Sequence, residues 1–139
     1  MNGGILPSGY HSEYNSEADT ISISEGGNSC GYVQYNVTKF WSGGHCYTLN
    51  NINNIITNGY LYHYLKAKED KIMALRIGSG LPNIQKSTLE KFEVKILNFY
   101  EQEKVVLTLD SFLNKLSVER KLLKMYQQQK QYFLQNLFI

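Results

Sequence analysis

Hydrophobic and polar residues alternate in two short stretches of the first half of the chain, which predicts two strands. Residues 19–24 (DTISIS) place two isoleucines between polar neighbours, and residues 31–37 (GYVQYNV) continue the same two-residue period. A shorter strand is expected over 45–49, after a Gly-containing turn. The first two strands should form a hairpin, and their loop, 25–30, is long enough to present side chains or backbone amides to a ligand.

The spacing of the hydrophobic residues then changes from a two-residue period to a helical one. Residues 60–68 carry tyrosines and leucines at helical intervals, which predicts an amphipathic helix. After a loop broken by Gly and Pro over 76–84, Ser87 and Glu90 have the spacing of a capping box, so a short helix or turn is expected to begin there. Residues 92–97 alternate again and predict a further strand.

A heptad repeat runs from residue 100 to residue 138, with only Glu119 and Lys130 as polar interruptions of its seam. This 3.5-residue period is typical of a long helix that packs along another helix as a left-handed coiled coil. The whole pattern predicts an α+β fold: a small mixed α/β domain over 1–98, then one long C-terminal coiled-coil helix over 99–139. The seam residues expected to contact a partner helix are Val105, Leu109, Phe112, Leu116, Leu123, Tyr126, Phe133 and Leu137.

A second interpretation of the heptad segment is a terminal helix folded back onto its own domain. At about 1.5 Å per residue the helix would extend on the order of 50 Å, which is long for so small a body. Glu119 and Lys130 could fix the register or an antiparallel pairing, or could extend to water. Apolar residues beside the seam suggest contact with a further protein surface; they are Val106, Leu113, Leu122 and Leu134.

The composition is that of an ordinary folded protein. The chain has 139 residues, of which 42% are apolar and 19% charged, enough for one compact domain and a projecting element. No apolar run is long enough for a membrane span, and residues 1–10 lack the pattern of a signal peptide, so we expect a cytoplasmic protein with no membrane association. Cys30 and Cys46 lack CxxC partners, so reduced thiols are expected rather than a zinc site or a disulfide.

Charge alone does not indicate nucleic-acid binding, because the formal net charge is only +2. Residues 1–85 carry five basic and six acidic side chains, whereas residues 86–139 carry nine basic and six acidic ones. The only basic cluster in the first part lies over 66–76.

Catalytic motifs are missing from the sequence. With Pro7 and Pro82 as its two prolines, the chain cannot contain the Pro-Pro motif that adenine methyltransferases use to hold a flipped base. The acidic pairs at 69–70 and 101–103 fit a solvated helical turn and a helix start better than a magnesium site. We therefore expect no enzyme activity, no metal ion and no cofactor.

The order of motifs resembles the target recognition domain and conserved spacer helix of type I restriction-modification specificity subunits. A Gly-containing loop with an Asn-Ile pair precedes a short capped helix, a strand and the Glu-Gln that opens the long helix. The resemblance covers nearly the whole chain and rests on the order of motifs that are individually weak. They are residues 4–10, 20–27, 31–33, 40–41, 78–84, 89–94 and 101–105.

The resemblance implies that residues 1–98 form a target recognition domain that reads one half of a split double-stranded DNA site through the major groove. The spacer helix would pair antiparallel with a counterpart and set the distance between half-sites. A methyltransferase subunit would dock on the helices and bring in the restriction subunit. A full subunit has two recognition domains and two spacer helices, so this chain resembles a half-subunit or fragment lacking the usual N-terminal segment, and a homodimer through the long helix is expected. The usual prolines before the Glu-Gln are replaced here by 95–100 (KILNFY).

Residues suited to DNA contact divide into two groups. Lys66, Lys68 and Lys71, with the amides of 78–80 around Ser79, are the candidates for phosphate contacts. The candidates for base edges have side chains able to meet groove donors and acceptors, and each could instead be an ordinary surface or turn residue; they are Ser8, Tyr10, His11, Glu25, Asn28 and Arg76.

Two other functions remain open. A coiled-coil protein-interaction module without DNA binding would suit the nearly neutral first half. A small hydrolase would need Cys46 to meet His63 or His45 in a cleft, with no orienting partner evident in the sequence. DNA recognition instead requires the 66–76 cluster to share a face with the loops around Gly26 and Gly78.

Overall fold

The computed structural model describes residues 1–137 and contains one three-stranded antiparallel sheet. Its strands are β1 (Thr20–Ser24), β2 (Val33–Asn36) and β3 (Cys46–Leu49), in the order β2-β1-β3. All three strands were predicted, the first two and their hairpin from the two-residue alternation and the third from the turn that precedes it. The central strand is the most buried one, because it is paired on both edges.

The two faces of the sheet differ in polarity. Ile21, Ile23 and Val33 are almost completely buried and form the core with residues from the helices. Burial of a side chain of this size contributes about 1.5 to 3 kcal/mol. The opposite face is polar but also buried, and there Asn36 donates to the Ser22 hydroxyl and the Thr20 carbonyl, both at 2.9 Å.

Three short helices cover the apolar face or follow it in the chain: α1 (Asn58–Ala67), α2 (Glu69–Met73) and α3 (Lys86–Leu89). The Thr57 hydroxyl caps α1 by accepting from the Tyr60 amide at 3.3 Å, and the helix buries Leu61 and Leu65 against the sheet. Helix α2 adds the fully buried Ile72 to the same core. The amphipathic helix predicted over 60–68 is therefore present, with its start two residues earlier.

Two local predictions were wrong. Ser87 does not cap α3, because the helix begins at Lys86 and its N-cap is Gln85, which makes no side-chain capping bond. Residues 92–97 do not form a strand, since no other strand lies beside them. Side chains in that segment do alternate in burial: Phe92 and Val94 pack against the core, and their neighbours are exposed.

The long helix α4 (Phe99–Asn136) follows, as predicted. A true capping box opens it: the Asn98 side chain accepts from the Glu101 amide at 3.0 Å, and the Glu101 carboxylate accepts from the Asn98 amide at 3.4 Å. The next residue, Gln102, is fully buried. The helix therefore starts inside the compact part of the chain.

The chain divides into two compact units after Glu103, so Met1–Glu103 is one unit and the helix from Lys104 onward belongs to the other. The predicted boundary at 98/99 coincides with the start of α4. Its seam residues are exposed from Leu109 to Leu137, and pairing with a second helix stays a prediction. Phe138, the last residue of the predicted heptad segment, lies outside the described residues.

Candidate nucleic-acid interface

Two loops distant in sequence are joined side by side, and we call residues 25–30 with residues 77–83 the double loop. The Gly27 amide donates to the Pro82 carbonyl at 2.9 Å, and Gly26 forms a β-bridge with Asn83. At its edge the Ile84 amide donates to the Glu25 carbonyl at 2.9 Å. These bonds tie the turn of the hairpin to the loop before α3.

Glycine is required at the bends of the double loop. Gly27 has φ +75° and Gly78 has φ +93°, both in the left-handed region that side chains with a Cβ rarely adopt. The bends leave Asn28 in one loop and Ser79 in the other exposed. Two of the residues expected to contact DNA are thus presented by adjacent loops.

The Glu25 side chain, a base-reading candidate, is held from inside the protein. Its carboxylate lies 3.1 Å from the Tyr47 hydroxyl, which donates to the Ile84 carbonyl at 2.9 Å, and 3.9 Å from His45 Nδ1. Burial, followed by the hydrogen bond to Glu25, raises the pKa of Tyr47 above its ordinary value. Glu25 is only partly exposed, and its carboxylate already has these partners within the domain.

Arg76 lies at the entrance to the double loop, directly before the bridge that pairs Ile77 with Asn83. The Arg76 side chain is exposed. Burial raises the pKa of Cys30, and the positive charge of Arg76 partly opposes that rise. Arg76 is therefore the basic residue of the 66–76 cluster that the structure places at the double loop.

Lys66, by contrast, already has partners within the domain. Its ammonium group lies 2.6 Å from the Glu69 carboxylate and 3.0 Å from the Val33 carbonyl, and 3.9 Å from the centre of the Tyr32 ring. Glu69 also accepts from the Val33 amide at 2.8 Å. Because its charge is neutralised and half-buried, Lys66 is a poor candidate for a phosphate contact.

Lys68 and Lys71 line a groove of about 670 Å³, which we call the lysine groove. Lys91 and Lys95, from the segment that follows α3, complete the set of four lysines. The sequence does not reveal these two as members of the cluster, because they lie 20 or more residues away and only the packing of residues 91–95 beside α1 and α2 brings them together.

The remaining base-reading candidates lie near the N-terminus. Tyr10 and His11 line a cleft of about 300 Å³ with Trp41, whose ring centre is 5.1 Å from that of His11. Tyr10 is 98% exposed, which suits a contact residue better than a core one. Ser8 is exposed beside this cleft, which is bordered by residues of β2 rather than by the double loop.

Chemistry based on cysteine and histidine finds no support in the described residues. The Cys46 thiol lies 3.7 Å from the Tyr47 carbonyl and makes no hydrogen bond to a histidine. Within 1–137 no group of three or more His, Cys, Asp or Glu side chains could hold a metal ion. No helix in the same range combines the length and the apolar character needed to cross a membrane.

A family model and two related proteins all point to one family of DNA specificity domains. The type I restriction modification DNA specificity domain matches residues 2–125. A protein of Mycoplasma genitalium named as a type I specificity subunit is 31% identical over 99% of the chain, and one of Mycoplasma pneumoniae is 33% identical over 76% of it. The chain spans 36% and 28% of the lengths of these two relatives.

A solved structure has the same fold. The crystal structure of a type I restriction-modification system S subunit from M. genitalium superposes with a TM-score of 0.82 at 31% identity, over 99% of this chain and 37% of that one. The resemblance inferred from motif order is therefore confirmed, together with the α+β fold that ends in a long helix. The chain belongs to the family of type I restriction-modification DNA specificity domains.

Proposed function

We propose that this chain reads one half of a split double-stranded DNA site, with the double loop as its principal contact surface. The observation that carries this proposal is the direct bonding of the two loops, which supports Asn28, Ser79 and Arg76 on one continuous backbone framework. Such a framework holds polar groups in fixed positions, and reading base edges depends on fixed positions.

The chemistry of these residues fits groove recognition. Arginine can bind guanine with two parallel hydrogen bonds, and asparagine can do the same with adenine. Exposed serine hydroxyls and the amides around Gly78 are suited to phosphate oxygens. Tyr10 and His11 would add contacts from the N-terminal cleft, whereas Lys68 and Lys71 lie in the separate lysine groove.

The long helix would supply the assembly function. Its exposed seam is suited to antiparallel pairing with the helix of a second copy, which would produce a homodimer with two recognition domains. A methyltransferase subunit would dock on the paired helices and would in turn bring in the restriction subunit. In this arrangement the chain works in the cytoplasm, as a recognition and scaffolding subunit without catalysis of its own.

The decisive experiment is co-expression of the chain with candidate methyltransferase subunits, followed by mapping of modified adenines. We expect one split recognition sequence, and Arg76→Ala should relax one position of it by about 1 to 3 kcal/mol of discrimination. Arg120→Ala, which removes the chain's other arginine from an exposed position on α4, is the matched control and should leave the sequence unchanged.

The alternative is a protein-interaction module that dimerises through the same seam and does not bind DNA. Under that alternative, no partner would produce sequence-specific methylation, and the purified chain would show no preference among duplexes. Unchanged specificity in Arg76→Ala, with methylation intact, would instead remove only Arg76 from the interface.

A further inference from the structure

The lysine groove has an excess of positive charge, which the rest of its unit lacks. Within Met1–Glu103 the three lysines outside the groove are ion-paired: Lys39 with Glu17 at 3.1 Å, Lys66 with Glu69 at 2.6 Å and Lys86 with Glu90 at 3.8 Å. The four lysines that line the groove make no ion pair and no side-chain hydrogen bond within the described residues; they are Lys68, Lys71, Lys91 and Lys95. Glu93 is the only acidic side chain in the lining.

The groove also has an apolar floor. Leu75, Phe92 and Val94 line it and pack against the core with their other sides. Phosphate groups gain nothing from such a floor, because binding there would cost them hydration without an apolar contact in return. The floor therefore favours a ligand that carries apolar side chains as well as negative charge.

One wall of the groove is a segment outside any helix or strand of the described chain, and some of its backbone hydrogen-bonding groups are unused. The amides of residues 93–96 donate to no acceptor in the described chain, and the carbonyl of Lys95 has the Tyr60 hydroxyl as its partner at 2.8 Å. Side chains along this wall alternate between the core and the solvent as they do in a strand. An extended segment of another chain can therefore pair with this wall as a neighbouring strand.

We propose that the lysine groove binds an extended acidic segment of a partner protein by strand addition along residues 93–96. Apolar side chains of that segment would contact Phe92 and Val94, and its carboxylates would meet the four unpaired ammonium groups. This interaction is separate from the DNA contacts proposed for the double loop and does not depend on them.

Binding can be measured on the full chain by fluorescence anisotropy with a labelled peptide of five Glu-Val repeats. Lys91→Glu combined with Lys95→Glu should weaken binding about tenfold or more, because two attractions become repulsions. Lys115→Glu combined with Lys121→Glu makes the same charge change at exposed positions of α4 and should alter affinity less than about twofold. Circular dichroism would establish that both variants are folded.

Strand addition is tested separately by a peptide with the same side chains but with methylated amides at alternate residues, which should no longer bind. Hydrogen exchange at residues 93–96 should slow when the unmodified peptide is added. The proposal is overturned if the unmodified peptide does not bind, if it binds both charge variants equally, or if methylation has no effect. It is also overturned if the groove lysines affect only the binding of a random-sequence DNA duplex, which would identify a phosphate contact.

Discussion

The side-chain oxygen of Gln102 accepts a hydrogen bond from the Thr57 amide at 2.8 Å and so links the start of α4 to the start of α1. The Gln102 side-chain NH₂ donates to the carbonyls of Ile55 and Leu97, both at 2.8 Å. All polar atoms of this fully buried side chain are thus engaged. The Glu-Gln pair that served as a family marker in the sequence therefore has a structural role.

We predict that Gln102→Ala destabilises the compact unit by about 2 to 4 kcal/mol, since one amide and two carbonyls would lose their buried partner. The free energy of unfolding in urea measures the effect. Gln127→Ala, at an exposed position of α4, is the control and should change that free energy by less than about 0.5 kcal/mol. Equal effects of the two substitutions would show that the Gln102 bonds contribute nothing net.

The capping box gives a second prediction. Asn98→Ala should cost about 1 kcal/mol in unfolding free energy, because the Glu101 amide loses its acceptor, whereas Asn98→Asp keeps an oxygen there and should cost much less. Ser87→Ala is the informative comparison, as Ser87 lies inside α3 and caps nothing. A larger loss for Ser87→Ala than for Asn98→Ala would contradict the assignment.

The two capping sites also show what the sequence could and could not predict. Ser87 to Glu90 and Asn98 to Glu101 both have a suitable residue pair at the required spacing. Only the second is used, because α4 begins at Phe99 whereas α3 already begins at Lys86. Local spacing therefore identifies candidates, and the path of the chain around them selects one.

Periodicity predicted the regular elements well, because it records which side faces the core. Residues 92–97 kept the alternation of a strand and were still wrongly predicted, since a strand also needs a neighbour. The groove lysines illustrate the same limit, because Lys68 and Lys95 come together only through tertiary packing. The sequence could suggest Arg76 and Asn28 as contacts, but not that their two loops are bonded together.

Cys30 provides a prediction on pH dependence. Burial raises the pKa of its thiol, so the native thiol should ionise only at higher pH than the unfolded one. A group whose folded pKa is raised contributes stability that is complete below the unfolded pKa and is lost as the pH rises through the folded pKa. In a Cys46→Ser background, the Raman band of the S–H stretch, followed from about pH 7 to about pH 11, measures the ionisation of Cys30 alone.

Arg76 should modify this titration. Its positive charge lowers the pKa of Cys30, so Arg76→Ala should move the ionisation profile of the thiol to still higher pH. Arg120→Ala should not move it. A profile that is identical in the wild type and Arg76→Ala would mean that Arg76 is not held beside the double loop in solution.

The exposed seam of α4 leads to the last prediction, which tests the proposed homodimer. Leu116 is 45% exposed and lies near the middle of the heptad seam, so Leu116→Lys would place a charge in the interface between paired helices. We expect the molar mass from light scattering to fall from that of a dimer to that of a monomer at micromolar concentration. Ser117→Lys adds the same charge one residue away, off the seam, and should leave the dimer intact. A monomeric wild-type chain would refute homodimerisation through this helix, and a dimer that persists in Leu116→Lys would place the contact elsewhere.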